Sequence, residues 1–173
     1  EMKEFFLRNE RYYDDFLSKQ IFINCWHENH KESYAMWKIY TNEFGIAIKS
    51  NIFQLKQSFD LTDNIFFLNV LYGDYETEGV NPYFPYQHKR KEFEYEKEFR
   101  IVLQENIVIP SGEIISIEDN NLDFLPNIKR KVNLDKLIQE IYISPFAPTW
   151  FYDAVYGLCK KYELNKNPIQ SSI

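Results

Sequence analysis

A chain of 173 residues with 45% hydrophobic and 27% charged side chains is long enough to bury a core and too apolar to be disordered. Twenty Lys and Arg stand against 26 Asp and Glu, a net charge of −6, so no global field draws nucleic acid and such binding would need a local basic patch. Two cysteines exclude a disulfide framework, and no run approaches the roughly 20 apolar residues of a membrane span, so the expected location is the cytoplasm.

Apolar residues at helical spacing between charges predict an amphipathic arm over residues 1–20. IFINCW (21–26) is β-branched and aromatic without a breaker, which predicts a strand that runs into the polar loop HENHKE. Ser33 is placed to cap a helix carrying Met36, Trp37 and Tyr40, with Gly45 beyond its end and a strand in GIAIKS (45–50). NIFFLNVLYG (64–73) reads as a strand closed by Gly73, and ETEGVNPYFPYQ (76–87) as a long irregular loop.

The basic tetrad His88–Lys91 is short and followed at once by glutamates, so it reads as a solvated loop. Alternation in FEYEKEFRIVL predicts a central strand over Glu94–Leu103, with Phe93, Tyr95, Phe99 and Ile101 facing the core. IVIPSGEIISI (107–117) predicts a hairpin, Asn133 a cap for a short helix, and IYIS (141–144) a strand. Thr149 follows Pro148 as an expected N-cap of the C-terminal helix, whose Phe151, Ala154, Val155, Leu158, Cys159 and Tyr162 repeat at helical spacing. Cys25 and Cys159 are both expected in the core, and a short strand is expected after Pro168. The fold class is therefore α+β: one domain over 21–173, with a mixed, mostly antiparallel sheet and an amphipathic C-terminal helix packed on it.

Three constellations could carry chemistry. CWHENH offers Cys25, His27 and His30, but its histidines are three apart rather than the four of a zincin helix and no paired CxxC accompanies them, so no metal is expected. Glu32 and Ser33 open the Trp37 helix, where unpaired N–H groups could hold an anion, although a Met-Trp-Tyr stripe is more often core. Glu96, Glu98 and Arg100 alternate along the expected strand, where two carboxylates on one face repel unless Arg100 or a lysine neutralises them. Such a pair suits cleavage of a glycosidic bond through an oxocarbenium-like transition state, or else forms a sheet face paired with cations.

Taken together, Cys25-Trp26, the Glu32-Ser33-x-x-Met36-Trp37-x-x-Tyr40 helix, Gly45 and the Tyr95-Glu96-x-Glu98-x-Arg100 segment resemble the bacterial family known as domain of unknown function 2971, from about Ile21 to the C-terminus. That family implies no reaction. Its members carry a strand and loop ahead of this segment, so the chain is expected to be a piece of a longer protein. The E-x-E pair is also similar to the glutamate motif of ADP-ribosyltransferases, which implies Glu98 at the nicotinamide ribose of NAD, Glu96 at the acceptor and Arg100 fixing both carboxylates.

On that resemblance Glu32, Ser33, Trp37 and Tyr40 line the cofactor cleft, the acceptor is a small-molecule nucleotide or a protein, and the enzyme serves as an anti-phage or toxin effector. Two alternatives stand beside it. One is a non-catalytic ligand- or protein-binding module of a bacterial defence system, in which Glu96, Glu98 and Arg100 form a structural charge network. The other is a nuclease, which lacks the acid-x-lysine pair at Tyr95-x-Lys97 and has only Glu98-x-Arg100 in its place. The sequence is silent on oligomeric state.

Overall fold

The computed structural model describes residues 19–59, 65–73, 84–104 and 126–173. In chain order these form β1 (Ile21–His27), α1 (Tyr34–Tyr40), β2 (Ile46–Lys49), α2 (Ile52–Ser58), β3 (Ile65–Asn69), β4 (Leu71–Tyr72), α3 (Phe84–Gln87) and β5 (His88–Lys89). A 3₁₀ helix (Lys91–Glu96), β6 (Glu98–Gln104), α4 (Leu134–Leu137), β7 (Glu140–Ile143), α5 (Thr149–Lys161) and β8 (Pro168–Gln170) follow. The class is α+β with mixed, mostly antiparallel pairing. Most of the arm expected over 1–20, most of the loop expected over 76–87 and the hairpin expected over 107–117 lie outside the described residues. Where the sequence reading draws one domain, the contacts divide the chain into two compact units, Glu1–Glu28 with Thr62–Lys129 and Asn29–Leu61 with Arg130–Ile173.

In the first unit β6 lies between β1 and β3, antiparallel to both. Its run Phe99, Ile101, Val102 and Leu103 is buried because the central strand is covered on both faces. Val102 is fully enclosed, a burial worth about 1.5–3 kcal/mol. The rings of Phe67 and Phe99 stack at 6.3 Å across the β3–β6 pair.

The strand does not extend back to Glu94. β1 ends at His27, opposite Glu98, and the Glu28 N–H donating to the Lys97 carbonyl at 2.8 Å closes the ladder. With no partner strand left, residues 91–96 satisfy backbone groups locally: Phe93 N–H donates to the Arg90 carbonyl at 3.0 Å and Lys97 N–H to the Glu94 carbonyl at 3.2 Å. Lys97 then takes a left-handed conformation, φ 41° and ψ 59°, and the chain enters β6. The expected alternation is inverted there, with Tyr95 exposed and Glu96 buried.

In the second unit β7 lies between β2, antiparallel, and β8, parallel. Ile141 and Ile143 are buried on this central strand, and α5 packs against β8 with Val155 and Cys159 buried. The cap of α5 is Pro148 rather than Thr149, which is the first helical residue, and the Phe151 N–H donates to the Pro148 carbonyl at 2.9 Å. Ser33 does cap α1, its Oγ accepting from the Met36 N–H at 3.4 Å.

Thr41 closes α1 by donating both its N–H (3.0 Å) and its hydroxyl (2.6 Å) to the Trp37 carbonyl. Gly45 permits this close turn, since a Cβ there would lie 2.3 Å from Thr41 Cγ2. α2 has no counterpart in the sequence reading, although Asn51 caps it by accepting from the Gln54 N–H at 2.8 Å. It packs on α4, which Asn133 caps as expected, and Leu55 and Leu137 are buried there.

Candidate functional site

Two turns of chain build the acidic site of the first unit. β5 pairs with β4 and holds Lys89 opposite Tyr72, and the 3₁₀ helix with its left-handed exit then folds Glu96 and Glu98 back against that lysine. Lys89 Nζ donates to Glu96 Oε2 at 2.5 Å and to Glu98 Oε1 at 2.8 Å. Arg100 Nε and Nη2 both reach Glu98 Oε2 at 2.7 Å, and Nη1 donates to the Tyr86 carbonyl at 2.7 Å. The Glu98 N–H donates to the Tyr72 hydroxyl at 2.7 Å.

Glu96, Glu98 and Arg100 are nearly dry, with side-chain exposures of 7%, 9% and 11%, while Lys89 is 24% exposed. Two carboxylates and two cations sum to no charge, which is the arrangement that makes such burial tolerable. Burial alone would raise the Glu98 pKa. The hydrogen bonds from Lys89 and Arg100 overcome it and hold the carboxyl at about 2, against an ordinary 4.5. Burial likewise works to lower the Lys89 pKa, and its bonds to Glu96 and Glu98 raise it instead.

β1 supplies the neighbouring wall. His27 stands opposite Glu98 and Cys25 opposite Arg100 in the register. The His27 Nδ1–H donates to the Glu96 carbonyl at 2.6 Å, and Nε2 is buried with no hydrogen-bond partner among the described residues. Cys25, expected in the core, is exposed as a residue; partial burial of its thiol and the Glu98 charge push its pKa up, with Arg100 opposing. Cys159 is buried, as expected.

The expected site residues therefore fall into two sets. Glu96, Glu98 and Arg100 meet in the first unit, but of the two carboxylates Arg100 bonds Glu98, and Lys89 is the residue that bridges both. The tetrad His88–Lys91, expected to be a solvated loop, instead delivers the central cation of the cluster. Glu32, Ser33, Trp37 and Tyr40 belong to the second unit. There Trp37 is buried with its indole N–H donating to Glu32 at 3.0 Å, Ser33 is committed to its cap, and Tyr40 is exposed.

The sequence signalled the need for a cation, since two like charges fixed on one chain segment require one, but did not single out Lys89. Among the described residues, no group of three or more His, Cys, Asp or Glu is placed to hold a metal ion, and no helix is long and apolar enough to cross a membrane. The chain matches no protein-family model, no curated protein and no solved structure.

Proposed function

We propose that this chain is a non-catalytic binding module that recognises a protein or ligand through exposed aromatic side chains, with Glu96, Glu98, Lys89 and Arg100 acting as its internal charge network. The observation that carries this reading is that each oxygen of Glu98 already holds a cation, Oε1 with Lys89 and Oε2 with Arg100, in a nearly dry setting. A carboxylate that stabilises a developing ribosyl cation must be free to face it, whereas this one is fully compensated before any substrate arrives. Exposed aromatics such as Phe44 and Trp150, whose rings meet at 5.3 Å, lie on the surface of the second unit. Exposed apolar groups of this size, gathered rather than scattered, mark contact surfaces.

A second reading, an NAD-using ADP-ribosyltransferase, draws support from the convergence of Glu96 and Glu98 on one cation, which brings an E-x-E pair together. On that reading a ribose hydroxyl displaces Lys89 from one carboxylate. Incubating the protein with NAD and candidate acceptors and following nicotinamide release separates the two. The expected result is no release above a protein-free control. Release that falls at least roughly a hundredfold in Glu98→Gln, with folding retained, would establish the transferase instead.

A further inference from the structure

The second unit leaves one sheet edge open. Its strand order is β2–β7–β8, so β2 and β8 lie outermost. β8 opens on Pro168, which has no N–H to offer a further strand. β2 carries no such guard. The Gly45 and Lys49 carbonyls accept from the Ser144 and Gln139 N–H groups, each at 2.9 Å, and therefore face β7. Alternation along the strand then turns the N–H and C=O of Ile46 and Ile48 outward, where they bond nothing among the described residues.

The apolar side chains stop short at the same edge. Ile46 and Ile48 stand opposite Ile143 and Ile141 and share their face of the sheet, yet they are 48% and 39% exposed while those partners are buried. Lys49, the charged residue of β2, bonds Glu140 across the ladder at 2.9 Å and is drawn toward β7 rather than over the open edge. Free backbone groups beside alternating apolar side chains are matched by an extended strand with apolar residues at every second position.

We infer that β2 pairs antiparallel with β2 of a second copy of this chain, about a two-fold axis at Ala47. In that register Ile46 of each copy faces Ile48 of the other at the hydrogen-bonded positions, so the outward N–H and C=O of both isoleucines are satisfied. Ala47 meets Ala47 at the closely spaced position between them, where a methyl side chain crowds little. The exposed isoleucines of the two copies join one apolar face. Charge favours the same orientation. Glu43 lies just before β2 and Lys49 closes it, so antiparallel pairing sets the basic end of one strand beside the acidic end of the other, whereas parallel pairing aligns like with like. The inference concerns self-association and is independent of either reading of Glu98.

The test is sedimentation velocity of the full chain from roughly 5 to roughly 500 μM, over which a growing dimer is expected. Ile48→Pro deletes an outward N–H from each copy and leaves the bonds to β7, and it should raise the dissociation constant at least roughly tenfold. Oxidised glutathione then reads the register. Ala47→Cys should give a disulfide-linked dimer, since its two copies face each other at about 4.5 Å between Cα atoms. Lys49→Cys should not, because its copies lie roughly 13 Å apart along the strands. Crosslinking is scored against the parent, which carries Cys25 and Cys159.

Circular dichroism establishes that each variant is folded, and if Ile48→Pro is not, the two cysteine variants decide alone. A monomer at every concentration would overturn the inference. So would a folded Ile48→Pro that dimerises as tightly as the parent, or Lys49→Cys crosslinking as readily as Ala47→Cys, either of which would place the contact elsewhere.

Discussion

Glu98→Gln is expected to lower the free energy of unfolding by about 3 kcal/mol, measured by urea denaturation with far-ultraviolet circular dichroism. The substitution keeps the shape and removes the charge. Arg100, almost buried, then keeps the neutral Tyr86 carbonyl but no carboxylate, while Lys89 retains Glu96, so one buried cation loses its countercharge. The cost sits toward the lower end of what breaking a buried pair entails, because each cation keeps one partner. Glu94→Gln is the control: Glu94 is exposed on the same segment, and its substitution should move stability by less than about 0.5 kcal/mol.

Acid should destabilise the protein over a defined window. A carboxyl whose folded pKa lies below its unfolded value contributes stability that is present above the unfolded value and lost as pH falls through the folded one. For Glu98 that window runs from about 4.5 down to about 2. The pKa difference corresponds to about 3 kcal/mol, which Glu98→Gln should remove from the acid limb of a stability-versus-pH curve. At the other extreme Lys89, with its pKa raised, contributes stability present below its ordinary value of 10.5 and lost as pH climbs through the raised one. The acid and alkaline effects share the Lys89–Glu98 pair, so they do not simply add.

Much of the fold was legible because its elements follow local rules. The inward residues Phe99 and Ile101 of β6, the Ser33 and Asn133 caps, the strand after Pro168 and the Val155/Cys159 stripe of α5 all follow from alternation, capping chemistry or helical period. What failed depended on partners distant in sequence. The alternation of 93–97 resembles a strand, yet β1 ends at His27 and provides no ladder for it, so the segment winds up and exposes Tyr95 instead of burying it.

The need for a cation beside Glu96 and Glu98 was readable, but Lys89 as that cation was not. Its position follows from the β4–β5 pairing and from the left-handed turn at Lys97, a conformation that a lysine in sequence does not advertise. Cys25 misled for a similar reason: an apolar run suggests a core residue, whereas the register sets it opposite Arg100 on an exposed stretch of β1. For the site residues of α1, the resemblance implied a cofactor wall while the Met-Trp-Tyr stripe favoured core, and the structure buries Trp37 with Glu32 as its hydrogen-bond acceptor.

That Glu96 and Glu98 are countercharges of a structural network rather than catalytic groups is tested most directly by a double-mutant cycle on Lys89 and Glu98. Lys89→Met, Glu98→Gln and the double variant are unfolded in urea beside the parent protein. If the two side chains stabilise each other across 2.8 Å, each single change leaves the cluster with a net charge, whereas the double change leaves Glu96 and Arg100, whose opposite charges sum to zero. The expected result is a double variant more stable than the sum of the singles by at least about 1 kcal/mol. Effects that add within about 0.5 kcal/mol, with each single variant nearly as stable as the parent, would contradict it and return the carboxylates to the list of groups kept for chemistry.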